Sequence, residues 1–182
     1  MLRTSLAIAL MAFSLSFASA ARVEAASARE IDAGVDATLD NFFYKIRGAR
    51  ELANKAVALL VFPSIVKAGI GIGGEYGEGA LRIRGGTVDY FNTVSASFGF
   101  QLGVQERSVI IAFMTEDALR QFRKTKGWKV GVDGSVAIIT LGVGGSIDTN
   151  KITSPVVGFI LDPKGLMYNL TLEGSKISRI SR

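Results

Sequence analysis

No cysteine and no histidine occur anywhere in the chain. The first absence excludes disulfides and thiolate metal sites, and the second removes the commonest general base and the commonest nitrogen ligand. Together they exclude structural zinc and the usual Ser-His and Cys-His nucleophile systems. Beyond the N-terminus there is no apolar run long enough to span a bilayer as a helix. Strong charge of one sign is missing too. The formal net charge is +5 over 182 residues, which permits contact with anionic lipid or nucleic acid without demanding it. A nucleic-acid surface needs more charge, with exposed aromatics interleaved, so nucleic acid is not expected as a partner.

The N-terminus has the layout of a signal peptide. Arg3 supplies the positive start, Leu6 to Phe17 the apolar stretch and Ala18-Ser19-Ala20 a small-residue cleavage site. The expectation is a signal over residues 1–20 and a single domain over 21–182, exported to the periplasm or secreted. Without a cysteine after the cleavage site the chain is not a lipoprotein, and without disulfides its core must suffice alone.

Glycine is what the chain has in abundance. It falls at positions 69, 71, 73, 74, 77 and 79. Spacing by two is strand spacing, so Gly69, Gly71 and Gly73 share a bare face that lets another backbone approach closely. Apolar residues hold even positions before this stretch (Ile70, Ile72) and odd ones after it (Leu81, Ile83), which predicts a bulge or tight turn between Gly73 and Gly79. Upstream, Ser27 and Glu30 form a capping box. Ile31, Val35, Leu39, Phe42, Phe43 and Ile46 then recur at helical spacing. This stripe reads as a cover for the strands, with Asp32, Asp36 and Asp40 on a solvated face. A short second helix follows near 49–54.

The strand-rich part begins with Ala56 to Phe62, ended by Pro63. Next come Ala80 to Arg84, a turn at Gly85-Gly86, Thr87 to Phe91, and a strict alternation from Val94 to Val104. A turn at Gln105-Glu106-Arg107 and a strand from Ser108 to Met114 follow. Thr115 caps a helix ended by Gly127. Lys129 to Thr140 reads as a strand, and Pro155 to Leu172 as a hairpin about Asp162-Pro163-Lys164-Gly165. The fold class is α+β: N-terminal helices (27–55) packed on a strongly curved, mostly antiparallel, glycine-rich sheet or partly closed barrel (56–180).

Catalytic and cofactor motifs fail on their surroundings. Gly69-x-Gly71-x-x-Gly74 lacks the helix that a dinucleotide site needs. Ser64-x-x-Lys67 lacks the companion elements of serine–lysine enzymes. Asn169-Leu170-Thr171 is a sequon inside a predicted strand. No catalytic residue, cofactor or metal site is expected. What remains is basic: Arg120, Arg123, Lys124, Lys126 and Lys129 in one group, and Lys67, Arg82 and Arg84 in another. Near an anionic bilayer each basic side chain contributes on the order of 1 kcal/mol, so the groups matter only if they share a face.

Five segments together resemble a family. They are Val61-Phe62-Pro63-Ser64 with Lys67-Ala68-Gly69 through Gly79; Ser97 to Gln105; Phe113 to Leu119; Gly131 to Val136; and Lys164-Gly165-Leu166 through Leu172-Glu173-Gly174-Ser175. In order, they are similar to the SYLF domain, also called the Ysc84 actin-binding domain, over roughly 50–180. The resemblance implies a non-enzymatic lipid-binding module, with phosphoinositide-type membranes and actin as the partners of eukaryotic relatives. The expectation is an exported protein peripheral to anionic phospholipid, binding head groups through the basic residues named above. Actin is not expected in an exported bacterial protein. Two alternatives are a carrier of acyl chains in an internal pocket lined by Gly69 to Gly73 and Ser95 to Gly103, and an envelope protein–protein module.

Overall fold

The computed structural model describes residues 26–142, 144–164, 172 and 174–182; the side chains of 70–72, 97–103 and 162–164 are outside that description. The signal segment and the second arm of the expected 155–172 hairpin, up to Thr171, also lie outside the described residues.

Helix α1 (Ala28–Lys45) begins at the capping box. The Glu30 amide donates to Ser27 Oγ, and the Ser27 amide donates to Glu30 Oε2 at 2.7 Å. Gly48, at φ +83°, turns the chain into α2 (Ala49–Lys55). Ile31, Val35, Phe42, Ile46, Ala49 and Leu52 are buried against the sheet, so the apolar stripe is core.

The sheet is organised by two very long strands, β1 (Ala58–Ile83) and β2 (Gly86–Phe113), paired antiparallel from Ala58↔Phe113 to Ile83↔Gly86. Their two-residue connection, Arg84-Gly85, has φ of +51° and +83°, the positive values that a tight hairpin with right-handed strand twist requires. Along its other edge β2 pairs with β6 (Lys176–Ile180) near its start and β5 (Val156–Lys164) near its end. A two-residue strand β3 (Trp128–Lys129) flanks β6, and β4 (Ala137–Leu141) runs parallel to β5. The sheet is thus mixed but mostly antiparallel. Helix α3 (Glu116–Lys124) follows β2.

Several predicted breaks turn out to be continuous strand. Pro63 does not end β1. The register slips between Phe62 and Ile65, so that two residues oppose Ser108 alone. Such a bulge leaves no ladder position requiring the proline N–H, and the Pro63 carbonyl accepts from Ser108 Oγ at 2.6 Å. Nor is there a turn at Gln105-Glu106-Arg107; those residues pair with Lys67, Val66 and Ile65. The phase shift lies earlier than Gly73, between Ile70 and Ile72. Lys129 to Thr140 is split by a turn, with Gly131 at φ +85°, and β5 runs through Asp162-Pro163 to Lys164.

The hairpin is doubled over. Lys67 and Glu75 are eight residues apart, a span of roughly 26 Å if extended, yet Lys67 Nζ lies 3.4 Å from Glu75 Oε1. The strand must bend sharply between them, where the register shifts. A Cβ added to Gly77 would sit 2.6 Å from the Ser64 carbonyl oxygen, and one at Gly79 would sit 2.7 Å from Phe62 Cδ1 and closer still to the Val61 carbonyl oxygen. Close backbone approach, of the kind anticipated at Gly69 to Gly73, is seen at Gly77 and Gly79.

Below the bend both sheet faces are covered. Leu59, Val61, Ile110, Ala112, Val157 and Phe159 meet α1 and α2. On the other face, Leu60, Phe62, Ile111 and Phe113 meet α3 and a ring cluster. There the Phe122 ring lies 4.9 Å from those of Phe91 and Phe113 and 5.5 Å, edge-on, from Trp128.

Candidate functional site

Helix α3 buries Leu119 and Phe122, and with one stripe fixed to the core, period 3.6 turns Arg120, Arg123 and Lys124 outward. Gly127, at φ +69°, then reverses the chain into β3 and leaves Lys126 exposed at the corner. On β6, Ile177 is buried, so Lys176 faces out. Lys176 lies directly opposite Lys129 across the β3–β6 ladder, and its side chain extends over Gly127, where an added Cβ would strike it.

These elements enclose a surface depression of about 520 Å³ lined by Phe91, Arg123, Lys124, Lys126, Lys176 and Arg179. Arg123, Lys124 and Arg179 also line an adjoining depression of about 330 Å³ that reaches Arg120 and Glu116. The arginines are braced. Arg120 pairs with Asp117, and Arg123 and Arg179 share Asp89. Lys124, Lys126, Lys129 and Lys176 have no carboxylate within ion-pair distance among the described residues. Two adjacent depressions thus carry three ammonium groups, of Lys124, Lys126 and Lys176, without an ion-pair partner among the described residues, and three oriented guanidinium groups; Lys129 stands beside them, across the ladder from Lys176.

Lys67, Arg82 and Arg84 do not join them. Lys67 is buried with Glu75, which also accepts from Arg107 Nη2 at 2.6 Å. Arg82 donates to Asp36 Oδ1 at 2.8 Å and to the Gly85 carbonyl at 3.0 Å, and lies 3.5 Å from Asp32 Oδ1. Arg84 is exposed at the hairpin tip. The α1 aspartates are correspondingly not a simple solvated face. Asp32 also accepts from Thr87 Oγ1 at 2.6 Å and from the Tyr90 hydroxyl at 2.8 Å, an arrangement that pushes the Tyr90 hydroxyl pKa up.

Sequence reasoning missed Lys176 and Arg179, because only the sheet order brings β6 beside α3. The one available signal was that Lys176 and Ser178 alternate with the apolar Ile177 and Ile180 flanks the end of the strand. No serine–lysine pair forms: Ser64 Oγ donates to Glu106 Oε1 at 2.7 Å on one strand face, and Lys67 is buried on the other. Among the described residues no helix is long and apolar enough to cross a membrane.

A family model, Ysc84, described as Las17-binding protein actin regulator, matches residues 94–181. The match begins inside β2 and takes in α3, β3 and β6, the elements that build the basic surface. No curated protein matches the chain.

Proposed function

Since residues 94–181 make the chain a member of the Ysc84 family, a family of lipid- or actin-binding modules, we propose that it acts as a non-enzymatic adaptor for anionic phospholipid head groups. The carrying observation is the set of three lysines, Lys124, Lys126 and Lys176, that have no acid partner among the described residues and are gathered with Arg123 and Arg179 on adjoining depressions, with Lys129 opposite Lys176 on the neighbouring strand. A phosphate entering there replaces the water around ammonium groups that no carboxylate competes for. The guanidinium groups, held by Asp89, present oriented donors without a further ordering cost. In this reading Lys67 and Arg82 are scaffold, and the lipid-facing set is Arg120, Arg123, Lys124, Lys126 and Lys129 with Lys176 and Arg179.

The layout of residues 1–20 supports export, with peripheral association at a periplasmic or extracellular membrane face, where actin is not the partner. Phosphomonoester head groups of the phosphoinositide type would gain most from clustered cations, because they carry more charge per lipid than a phosphodiester.

Co-flotation with neutral and anionic vesicles over a salt series tests this. Binding is expected only to anionic vesicles and weakens steeply with salt. At about 1 kcal/mol per basic side chain, the triple variant Lys124→Glu, Lys126→Glu, Lys176→Glu loses on the order of 100-fold in affinity. Equal binding by this variant and the wild type would sink the reading.

A further inference from the structure

On the opposite side of the molecule the doubled hairpin and the start of α1 leave an apolar pocket of about 540 Å³. Period 2 explains its walls. Ile65, Lys67, Glu75, Gly77 and Gly79 turn to the buried side of β1. The alternate residues Ser64, Val66 and Ala68 on one arm, and Gly74, Tyr76 and Glu78 on the other, line the pocket. Ile31, Gly34 and Pro63 close its end. Gly34 lets the helix sit close there, since a Cβ would come 3.0 Å from Pro63 Cγ, a tight contact.

The polar groups on these walls are already engaged. Glu30 is held in the capping box, Ser64 bonds Glu106, and the Tyr76 hydroxyl donates to Glu78, which also pairs with Arg182. An occupant therefore finds apolar surface and no waiting hydrogen-bond partner. The volume falls in the range of small-molecule sites, roughly 300–1,000 Å³. The pocket also opens onto exposed apolar side chains: Val66 is 41% and Val104 68% exposed, and Val104 is paired across the ladder with Ala68, which lines the wall. The strip also carries Glu106, paired opposite Val66 and bonded to Ser64 Oγ, so a hydrocarbon reaches the pocket past that engaged carboxylate, along Val66 and Val104.

We propose that this pocket is a binding site for a single acyl chain of a lipid. It is independent of the head-group surface, which lies on α3 and β6. Recognition is by apolar burial alone. Affinity should then rise by about fourfold for each methylene added until the pocket is full, and should not respond to salt.

The test uses the full chain and a monoacylglycerol series from butyryl to palmitoyl, read by displacement of an environment-sensitive fluorophore and by native mass spectrometry. One palmitoyl ester per protein is expected, with weak or no binding of the butyryl ester. Gly74→Leu is the blocking variant. A Cβ at Gly74 meets nothing nearer than the Ser95 carbonyl oxygen at 3.7 Å, so the fold is kept while the pocket is filled. It should weaken palmitoyl binding at least about tenfold with an unchanged melting temperature. Ala68→Asp, which places a charge at the wall, should do the same. The head-group variant Lys124→Glu, Lys126→Glu, Lys176→Glu should bind the monoacylglycerol as the wild type does, so either reading can fail without the other. Binding that ignores chain length, equal binding by Gly74→Leu, or no binding of any ester overturns the proposal.

Discussion

Asp32 shows how much one side chain can hold. Its carboxylate accepts from Thr87 and Tyr90 and faces Arg82, tying α1 to the hairpin tip. Asp32→Ala leaves the Thr87 and Tyr90 hydroxyls short of an acceptor and leaves Arg82 with Asp36 alone as its carboxylate partner, and charge-assisted hydrogen bonds are worth about 1.5–3 kcal/mol each. Partial solvent access lowers the expected cost to about 2 kcal/mol, measured by urea denaturation. Tyr90→Phe removes one of these bonds and should cost about 1 kcal/mol at neutral pH. The Asp32 bond raises the folded pKa of this tyrosine above its unfolded value. Its contribution is therefore complete below the unfolded pKa and is lost as pH rises through the folded one. The stability gap between wild type and Tyr90→Phe should begin to narrow near about pH 10 and close only above the raised folded pKa; a gap that does not narrow as the pH climbs above about 10 contradicts the bond. Arg84 offers the opposite sign. It holds φ +51° with its side chain exposed, and a left-handed non-glycine residue costs about 1–2 kcal/mol. Arg84→Gly should raise stability by about 1 kcal/mol, a little of the gain being offset by unfolded-state entropy. At this scale the sequence is readable only where partners are neighbours. Ser27 and Glu30 are three residues apart and their capping box was plain; Asp32 and Tyr90 are 58 apart, and nothing local announces them.

The doubled hairpin is the element on which both candidate sites depend, and its glycines are unequal. Gly79→Ala drives a Cβ into the Val61 carbonyl and Phe62. Backbone cannot move aside as a flexible side chain can, so the cost should exceed about 3 kcal/mol. Gly74→Ala meets only ordinary contact and should be neutral or slightly stabilising. Thermal melts of the two variants separate the close-approach account from one in which glycine serves only flexibility, which would make them alike. Glu75 joins the arms from inside, between Lys67 and Arg107. Glu75→Gln strips a buried carboxylate from two buried cations, a change that typically costs about 3–5 kcal/mol. The alternation from Val94 to Val104 made this region conspicuous as a strand, but it did not say which face is buried. Val94 and Val104 are exposed while Thr93 and Gln105 are buried, because the concave side of the bend is filled by polar and charged partners from the other arm. Pro63 misled for a related reason. A proline ends a strand in a regular ladder, whereas a bulge, invisible in one strand's sequence, removes the need for its N–H.

Across the whole molecule the same two strands pass from a doubly covered trunk to a bend with exposed faces. The α+β class and the curved, glycine-rich sheet were legible from strand spacing, capping signals and short connections. The basic surface was half legible, since α3 announces its own cations while Lys176 and Arg179 arrive through sheet order. The trunk amides of Val109 to Phe113 lie between α1 and α2 on one side and the Phe122 cluster on the other, and pair with both β1 and β5. Opening them exposes both cores at once, so they should exchange with deuterium only through global unfolding. Near the bend, Val66 and Val104 are exposed and no helix among the described residues buries them; the ladder there opens at the expense of little apolar contact. Amides of Lys67, Ala68 and Val104 should exchange through local opening, orders of magnitude faster than those of Ile110 and Ile111. A filled acyl pocket alters this pattern in one place. Palmitoyl glycerol contacts Val66 and Ala68 but not the trunk, so it should slow exchange on those arms and leave Ile110 unchanged unless global stability also rises by linkage. Uniform protection along β2 without ligand would instead make the hairpin one cooperative unit, with the bend as rigid as the trunk.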